Sequence, residues 1–112
     1  MTARFAVEWA EPALTDAEEI VDYLLSEDGE RAAVDLVTRI EAATARLGHL
    51  PRRGRVVPEL SAEGIHTYRE LVIPPHRLVY RVAQRRVIVV AFVDGRRDLG
   101  ELLVARALRA PP

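Results

Sequence analysis

Sixteen arginines carry all the strongly basic character of this chain, which has no lysine. Seven of them fall in or beside β-rich runs; Arg85 and Arg86 flank the last run as charged gatekeepers, and Arg69, Arg77, Arg81, Arg96 and Arg97 are the candidates for chemistry. The guanidinium group is a planar fork whose N–H pairs match phosphate and carboxylate oxygens. In the run from His76 to Val82, period-two alternation sets Arg77, Val79 and Arg81 on one face and His76, Leu78, Tyr80 and Val82 on the other. Arg69 on the preceding run is expected beside one of them, and Arg96 and Arg97 directly follow the next run. Taken singly, each arginine is best explained as a solvated side chain paired with Glu59, Glu70 or an acidic helix. Taken together, they concentrate positive potential and suit an anionic target or partner.

Other chemistry finds little support. His49, His66 and His76 stand alone, without His, Cys or carboxylate partners at ligand spacing, so neither a metal nor a cofactor is expected. The glycines at 48, 54, 64, 95 and 100 fit no phosphate-cradling loop, and there is no nucleophile elbow. Asp98 reads as a helix cap and Trp9 as a core side chain.

The elements that must position the arginines follow from apolar spacing. Phe5, Val7 and Trp9 alternate with polar or small residues as a short strand does, and Pro12 stops it. Leu14, Ala17, Ile20, Val21, Leu24 and Leu25 recur at helical spacing, with Thr15 and Glu18 as a capping box and Gly29 as the stop. A second helix runs through Ala33, Leu36, Ile40, Ala43 and Leu47 to Gly48 and Pro51, and so short a link makes an antiparallel αα-hairpin. Pro51 to His66 reads as a long surface loop. Tyr68 to Ile73, His76 to Val82 and Arg86 to Asp94 then form an antiparallel meander. The last of these is apolar on both faces, as a strand covered on both sides should be. Asp98 and Glu101 open a C-terminal helix through Leu102, Leu103 and Leu108, and Pro111 and Pro112 end the chain. The reading is one α+β domain spanning residues 1–112: an N-terminal strand, a helical hairpin, a three-stranded meander and a short C-terminal helix.

The formal net charge of −1 hides an asymmetry. Residues 1–50 hold four arginines against eleven acids, and residues 51–112 hold twelve against six, so the chain is acidic in front and basic behind. The longest apolar run, Val87 to Val93, is far short of the ~20 residues a membrane span needs. Met1 to Trp9 lacks an apolar signal-peptide core. With no cysteine, the expectation is a cytoplasmic protein that does not meet a membrane.

Over nearly its whole length the chain resembles the RelE/ParE toxins of bacterial type II toxin-antitoxin pairs. The residues that carry the resemblance are Trp9 and Ala13 ahead of Ile20 and Tyr23, then Leu50-Pro51-Arg52-Arg53-Gly54-Arg55 with Val57-Pro58-Glu59-Leu60. Tyr68-Arg69-Glu70-Leu71, His76-Arg77-Leu78-Val79-Tyr80-Arg81-Val82 and the closing Asp94-Gly95-Arg96-Arg97-Asp98 complete the set. The resemblance implies the same α+β fold, growth arrest, and neutralisation by a cognate antitoxin in a hetero-oligomer.

It also implies one of two activities. RelE-like members cut messenger RNA on the ribosome, chemistry that needs a base, an acid and cations; Arg77, Arg97, His76 and Tyr80 are the residues here that would serve. No His, Tyr or Lys follows Tyr80, where many ribonuclease members carry a terminal proton-transfer residue. ParE-like members have no such catalytic set and poison DNA gyrase. Their ending commonly reads H-G-x-R-D, and here Gly95, Arg97 and Asp98 fit while Asp94 stands in place of the histidine. The ParE-like reading is favoured. It makes the protein a non-enzymatic toxin with Arg69, Arg77, Arg81, Arg96 and Arg97 as its target- or partner-binding residues. Its alternatives are the ribonuclease and a non-toxic interaction domain that keeps the fold.

Overall fold

In the computed structural model, which describes residues 4–109, strand β1 (Ala6–Trp9) leads into helices α1 (Glu11–Glu27) and α2 (Glu30–His49). A two-residue strand β2 (Arg55–Val56) and a single turn α3 (Pro58–Ser61) precede β3 (Tyr68–Ile73), β4 (His76–Ala83) and β5 (Arg86–Asp94), and helix α4 (Leu99–Arg109) follows. The side chain of Leu108 and the Pro111–Pro112 end lie outside the described residues.

The helical hairpin sits where its apolar spacing puts it. Gly29 takes a φ of 94°, and its N–H and that of Asp28 both bond to the Leu24 carbonyl, closing α1 in a conformation cheap only for glycine. The start of α1 differs from the expected Thr15 capping box. Ala10 is extended, donates its N–H to Val89 O of the sheet, and is followed by Pro12 in the first turn. Proline's fixed φ and missing N–H suit that position, so Pro12 opens the helix as well as ending the strand.

The five strands lie in the order β1-β5-β4-β3-β2. The antiparallel meander β3-β4-β5 forms with the expected boundaries, to within one residue at Ala83. The sheet is nonetheless mixed, because β1 pairs with β5 in parallel, Ala6 opposite Arg86 and Trp9 opposite Val89. The helical hairpin and the other strands intervene between the two, and a crossover of that length is what a parallel neighbour requires. The stretch expected as a loop holds β2 and α3, with Val57 and Leu60 buried. A two-residue strand and a single helical turn are too short to show a period.

One irregularity in β5 decides which side chains meet. Val79 pairs with Ala91 but Tyr80 pairs with Val89, so Val90 is an extra residue, a β-bulge. Alternation therefore breaks: Val87, Val89 and Phe92 pack under the helical hairpin, while Ala91 and Val93 pack on the opposite face with α3 and α4. Among the described residues, no strand covers this edge of β5 beyond Trp9. Side chains complete it instead, with Phe92 N–H donating to Asp16 (3.0 Å) and Arg106 of α4 donating to Val90 O (2.7 Å). Arg106 also grips Asp16 with both arms, at 2.8 and 2.9 Å. Three elements are thereby tied at the bulge.

Two apolar layers thus flank one sheet. Leu36, Leu47, Leu78, Tyr80 and Phe92 lie in the layer under α1 and α2, and Val57, Val79, Val93, Leu99 and Leu103 in the layer under α3 and α4. Phe5, Val7 and Trp9 pack against the first layer, and the Trp9 ring stands 6.4 Å from that of Phe92. Among the described residues no helix is long and apolar enough to cross a membrane.

Candidate functional site

Arg77 and Arg81 share the sheet face that carries α3 and α4, as alternation predicts, but their surroundings are unlike. Arg77 is 8% exposed and is the hub of a charged chain across four elements. Its Nε donates to Glu70 Oε1 (2.6 Å), and its two terminal nitrogens donate to Glu59 Oε2 and Oε1 (2.7 Å each). Arg55 of β2 donates from Nε to the second Glu70 oxygen (2.6 Å). Every oxygen of the fully buried Glu70 carboxylate is therefore held by an arginine. Burying charges is tolerable when each is paired and hydrogen-bonded in this way, and removing one partner is what becomes costly.

The hydrogen bonds from Arg77 hold the Glu59 carboxyl at about 2, against a smaller opposing effect of desolvation. A carboxyl whose folded value lies below its unfolded one adds stability above the unfolded value and loses it as pH falls through the folded one. Stability should therefore stay level on acidification from pH 7 to about 5 and drop between about 4.5 and 2. The Glu59 side chain is 34% exposed, so solvent screening limits the loss to roughly 1–2 kcal/mol. Urea titrations of the wild type and Glu59→Gln from pH 7 to 2 measure it: the two curves should converge at the acid end, and a constant offset across the range contradicts the assignment.

Arg81 stands opposite Tyr68 and has no carboxylate partner among the described residues. Arg69 does not lie beside these two. It pairs in register with Tyr80 and so points to the helical face, where its guanidinium donates to Gly54 O at 2.8 Å. The reason is parity: antiparallel partners share a face, and Tyr80 is one residue out of phase with Arg77 and Arg81.

Arg96 and Arg97, in the turn after β5, also differ from each other. Arg96 folds back onto Asp94 (3.1 Å) and holds that carboxyl below its usual range. Arg97 is exposed with no carboxylate partner among the described residues, and it borders two depressions. One, of about 700 Å³, lies between the helical hairpin and the end of β5 and is lined by the apolar Ile20, Leu24, Leu36 and Phe92, by Glu19 and Asp28, and by Asp16 and Asp35, which pair with Arg106 and Arg39. The other, of about 640 Å³, lies on the opposite face between α3 and α4. Asp98 caps α4, accepting from Gly100 N–H (2.9 Å).

His76 lies in the first depression, its ring stacked on Phe92 at 5.1 Å with Nδ1 buried and without a hydrogen-bond partner. Burial lowers its pKa, opposed by the Asp94 charge and reinforced by Arg39. The Tyr80 hydroxyl accepts the Gly54 N–H (2.9 Å) beneath the turn that follows α2. Four strand positions separate His76 from Tyr80, roughly 13 Å at the usual rise per residue, and Arg77 faces the other way. Arg77, Arg97, His76 and Tyr80 do not converge on one reacting atom. Among the described residues no three His, Cys, Asp or Glu side chains gather as a metal site would require.

The family model that describes the ParE toxin of the type II toxin-antitoxin system parDE matches residues 7–99. The chain belongs to the ParE toxin family. The match runs from β1 to the first residue of α4 and includes the Arg77 network and the turn carrying Arg97. No curated protein matches the sequence significantly. Among solved structures, a chain of the chromosomal ParDE TA system from P. aeruginosa superposes with a TM-score of 0.68. The two are 18% identical, and the alignment covers 83% of this chain and 98% of that one, a likeness of fold. For this ParE toxin, Arg55 is the network member whose role periodicity could not reveal. Its only signal is a charged residue in a short turn, and what it meets depends on β2 pairing with β3.

Proposed function

We propose that this chain is the toxin half of a toxin-antitoxin pair, that it arrests bacterial growth by binding and poisoning DNA gyrase, and that a cognate antitoxin neutralises it. The observation carrying the choice of binding over RNA cleavage is the scatter of Arg77, Arg97, His76 and Tyr80. A general base, an acid and a phosphate clamp must stand within hydrogen-bond reach of one substrate, whereas His76 and Tyr80 are roughly 13 Å apart along the strand and Arg77 faces the other side of the sheet. Membership of the ParE toxin family supports the same reading.

Within this reading Arg97 and Arg81 are the candidates available to meet the target, since neither is engaged by a carboxylate or, as Arg69 is, by backbone carbonyls. Arg77 acts at a distance, by holding α3 and β2 against the sheet. The antitoxin has a suitable seat in the depression beside the helical hairpin, whose apolar residues and excess of carboxylates over guanidinium groups fit a segment with apolar and basic side chains.

Inducing the protein alone in a bacterial host, with pulse labelling of DNA and protein, tests the proposal. Growth should stop with DNA synthesis failing first, and co-expression of the antitoxin should prevent it. Protein synthesis failing first, with cleaved messenger RNA, is the result of a ribonuclease, and unimpaired growth is that of a non-toxic interaction domain.

A further inference from the structure

The turn between α2 and β2 carries arginines that this reading leaves without a task. Arg52 and Arg53 are exposed, and the backbone under them is firmly held. Gly54 donates its N–H to the buried Tyr80 hydroxyl, and the Arg69 guanidinium donates to the carbonyls of Gly54 (2.8 Å) and Arg52 (3.4 Å). The Arg69 guanidinium thus lies against the backbone of the turn that carries the exposed Arg52 and Arg53. Burial raises the Tyr80 pKa, while the charges of Arg69, Arg53 and Arg52 act against the rise.

None of these three meets a carboxylate among the described residues, whereas Arg39, Arg55, Arg77, Arg86, Arg96 and Arg106 each do. Arg46, in the last turn of α2, adds positive charge at the same end. Gathering like charges without compensation opposes folding, and an external polyanion relieves that repulsion.

We infer that the turn at residues 51–54 is a phosphodiester-binding site that docks on the backbone of nucleic acid, namely the DNA duplex engaged by the toxin's target. In that last clause it rests on the gyrase reading. Duplex DNA presents about one negative charge per 1.7 Å of helix axis, so each guanidinium on this one turn can meet a phosphate of its own. An acidic protein segment has to bring several carboxylates into the same small area. Arg52 and Arg53 are the contacting residues. Arg69, fixed by two backbone carbonyls, positions the turn and adds its charge.

The test is fluorescence anisotropy of a labelled DNA duplex of arbitrary sequence, titrated with the purified full chain in the absence of gyrase and antitoxin. Binding is expected at low salt. The double variant Arg52→Gln/Arg53→Gln should bind about tenfold more weakly, with the slope of log K against log salt smaller by about 2. Arg31→Gln, exposed in the first turn of α2 and so at the far end of that helix from the turn, should change neither. Single-stranded RNA and poly-glutamate serve as competitors. RNA displacing the duplex at equal concentration keeps the phosphodiester site but removes the duplex as its partner. Poly-glutamate displacing it equally well overturns the inference, as does a double variant with unchanged affinity and slope. The two proposals fail separately: gyrase poisoning by a chain that does not bind duplex sinks this site alone, and duplex binding through Arg52 and Arg53 by a chain that leaves gyrase untouched sinks the gyrase reading and the clause that names the target's duplex, leaving the phosphodiester site.

Discussion

Arg77→Ala is expected to destabilise the fold by about 3–5 kcal/mol, the usual consequence of removing one member of a buried ion pair. The Glu70 side chain is wholly buried, and the substitution strips Nε and a terminal nitrogen from one of its oxygens, leaving Arg55 on the other. Glu59 loses two hydrogen bonds but is exposed enough to be rehydrated. The double variant Arg77→Met/Glu70→Leu should recover most of the loss, because a matched apolar replacement removes the uncompensated charge together with its partner. Equilibrium urea unfolding at pH 7 measures both. A single-variant cost under about 1 kcal/mol shows the network to be a surface decoration, and it would also undo the assignment of Arg77 to scaffolding. The double variant has a functional consequence too. If Arg77 only holds the sheet face together, the refolded double variant should retain whatever growth arrest the wild type produces.

Gly54→Ala should be nearly as damaging, at about 3 kcal/mol, for a different reason. A Cβ at this position comes within 2.6 Å of the Glu70 carbonyl oxygen and 2.7 Å of the Tyr80 hydroxyl. Neither can retreat, since the first is backbone of β3 and the second belongs to a side chain with no exposed surface. The methyl group forces the turn off the sheet and breaks the Gly54 to Tyr80 hydrogen bond. Tyr80→Phe removes only that bond's acceptor and should cost about 1–2 kcal/mol, the penalty of leaving one buried N–H unsatisfied. Thermal unfolding of the two variants side by side separates crowding from hydrogen bonding. Equal costs show that the close approach of Gly54 contributes nothing of its own. Gly54→Ala should also weaken nucleic-acid binding by displacing Arg52 and Arg53, with Tyr80→Phe retaining most of it.

The sequence made much of this architecture legible because period-two and period-3.6 patterns report directly on one-sided burial. The β3, β4 and β5 boundaries, the helical hairpin and the turn at Gly29 all rest on runs long enough to show a period. The elements that escaped are short or depend on distant partners. β2 has two residues and α3 one turn, and the parallel pairing of β1 is set by the crossover and not by any pattern within Ala6–Trp9. The Val90 bulge is invisible in an uninterrupted apolar run, yet it sends Phe92 under the helices and frees the carbonyl that Arg106 fills.

The arginines illustrate the same limit. Alternation places Arg77 and Arg81 on one face but says nothing of register with β3, which turns Arg69 to the other side. Nor can spacing tell a guanidinium consumed by Glu59 and Glu70 from one left open. Those two glutamates could be named from sequence as pairing partners, and the structure makes them the hydrogen-bonded partners of Arg77. What reads in sequence as one anionic-partner surface from Tyr68 to Arg97 resolves into an internal network at Arg77, open positions at Arg81 and Arg97, and a separate cluster at Arg52, Arg53 and Arg69.

The central claim is that this ParE family toxin acts by binding gyrase and not by chemistry of its own. The most direct measurement adds purified, antitoxin-free protein to DNA gyrase and relaxed plasmid with ATP, following supercoiling and the accumulation of cleaved complexes. Supercoiling should be inhibited and cleaved complexes should accumulate, the antitoxin should reverse both effects, and Arg81→Gln/Arg97→Gln should weaken them without loss of fold. Unchanged supercoiling and no cleaved complexes at high molar excess, from protein that still arrests growth when induced, would contradict the account.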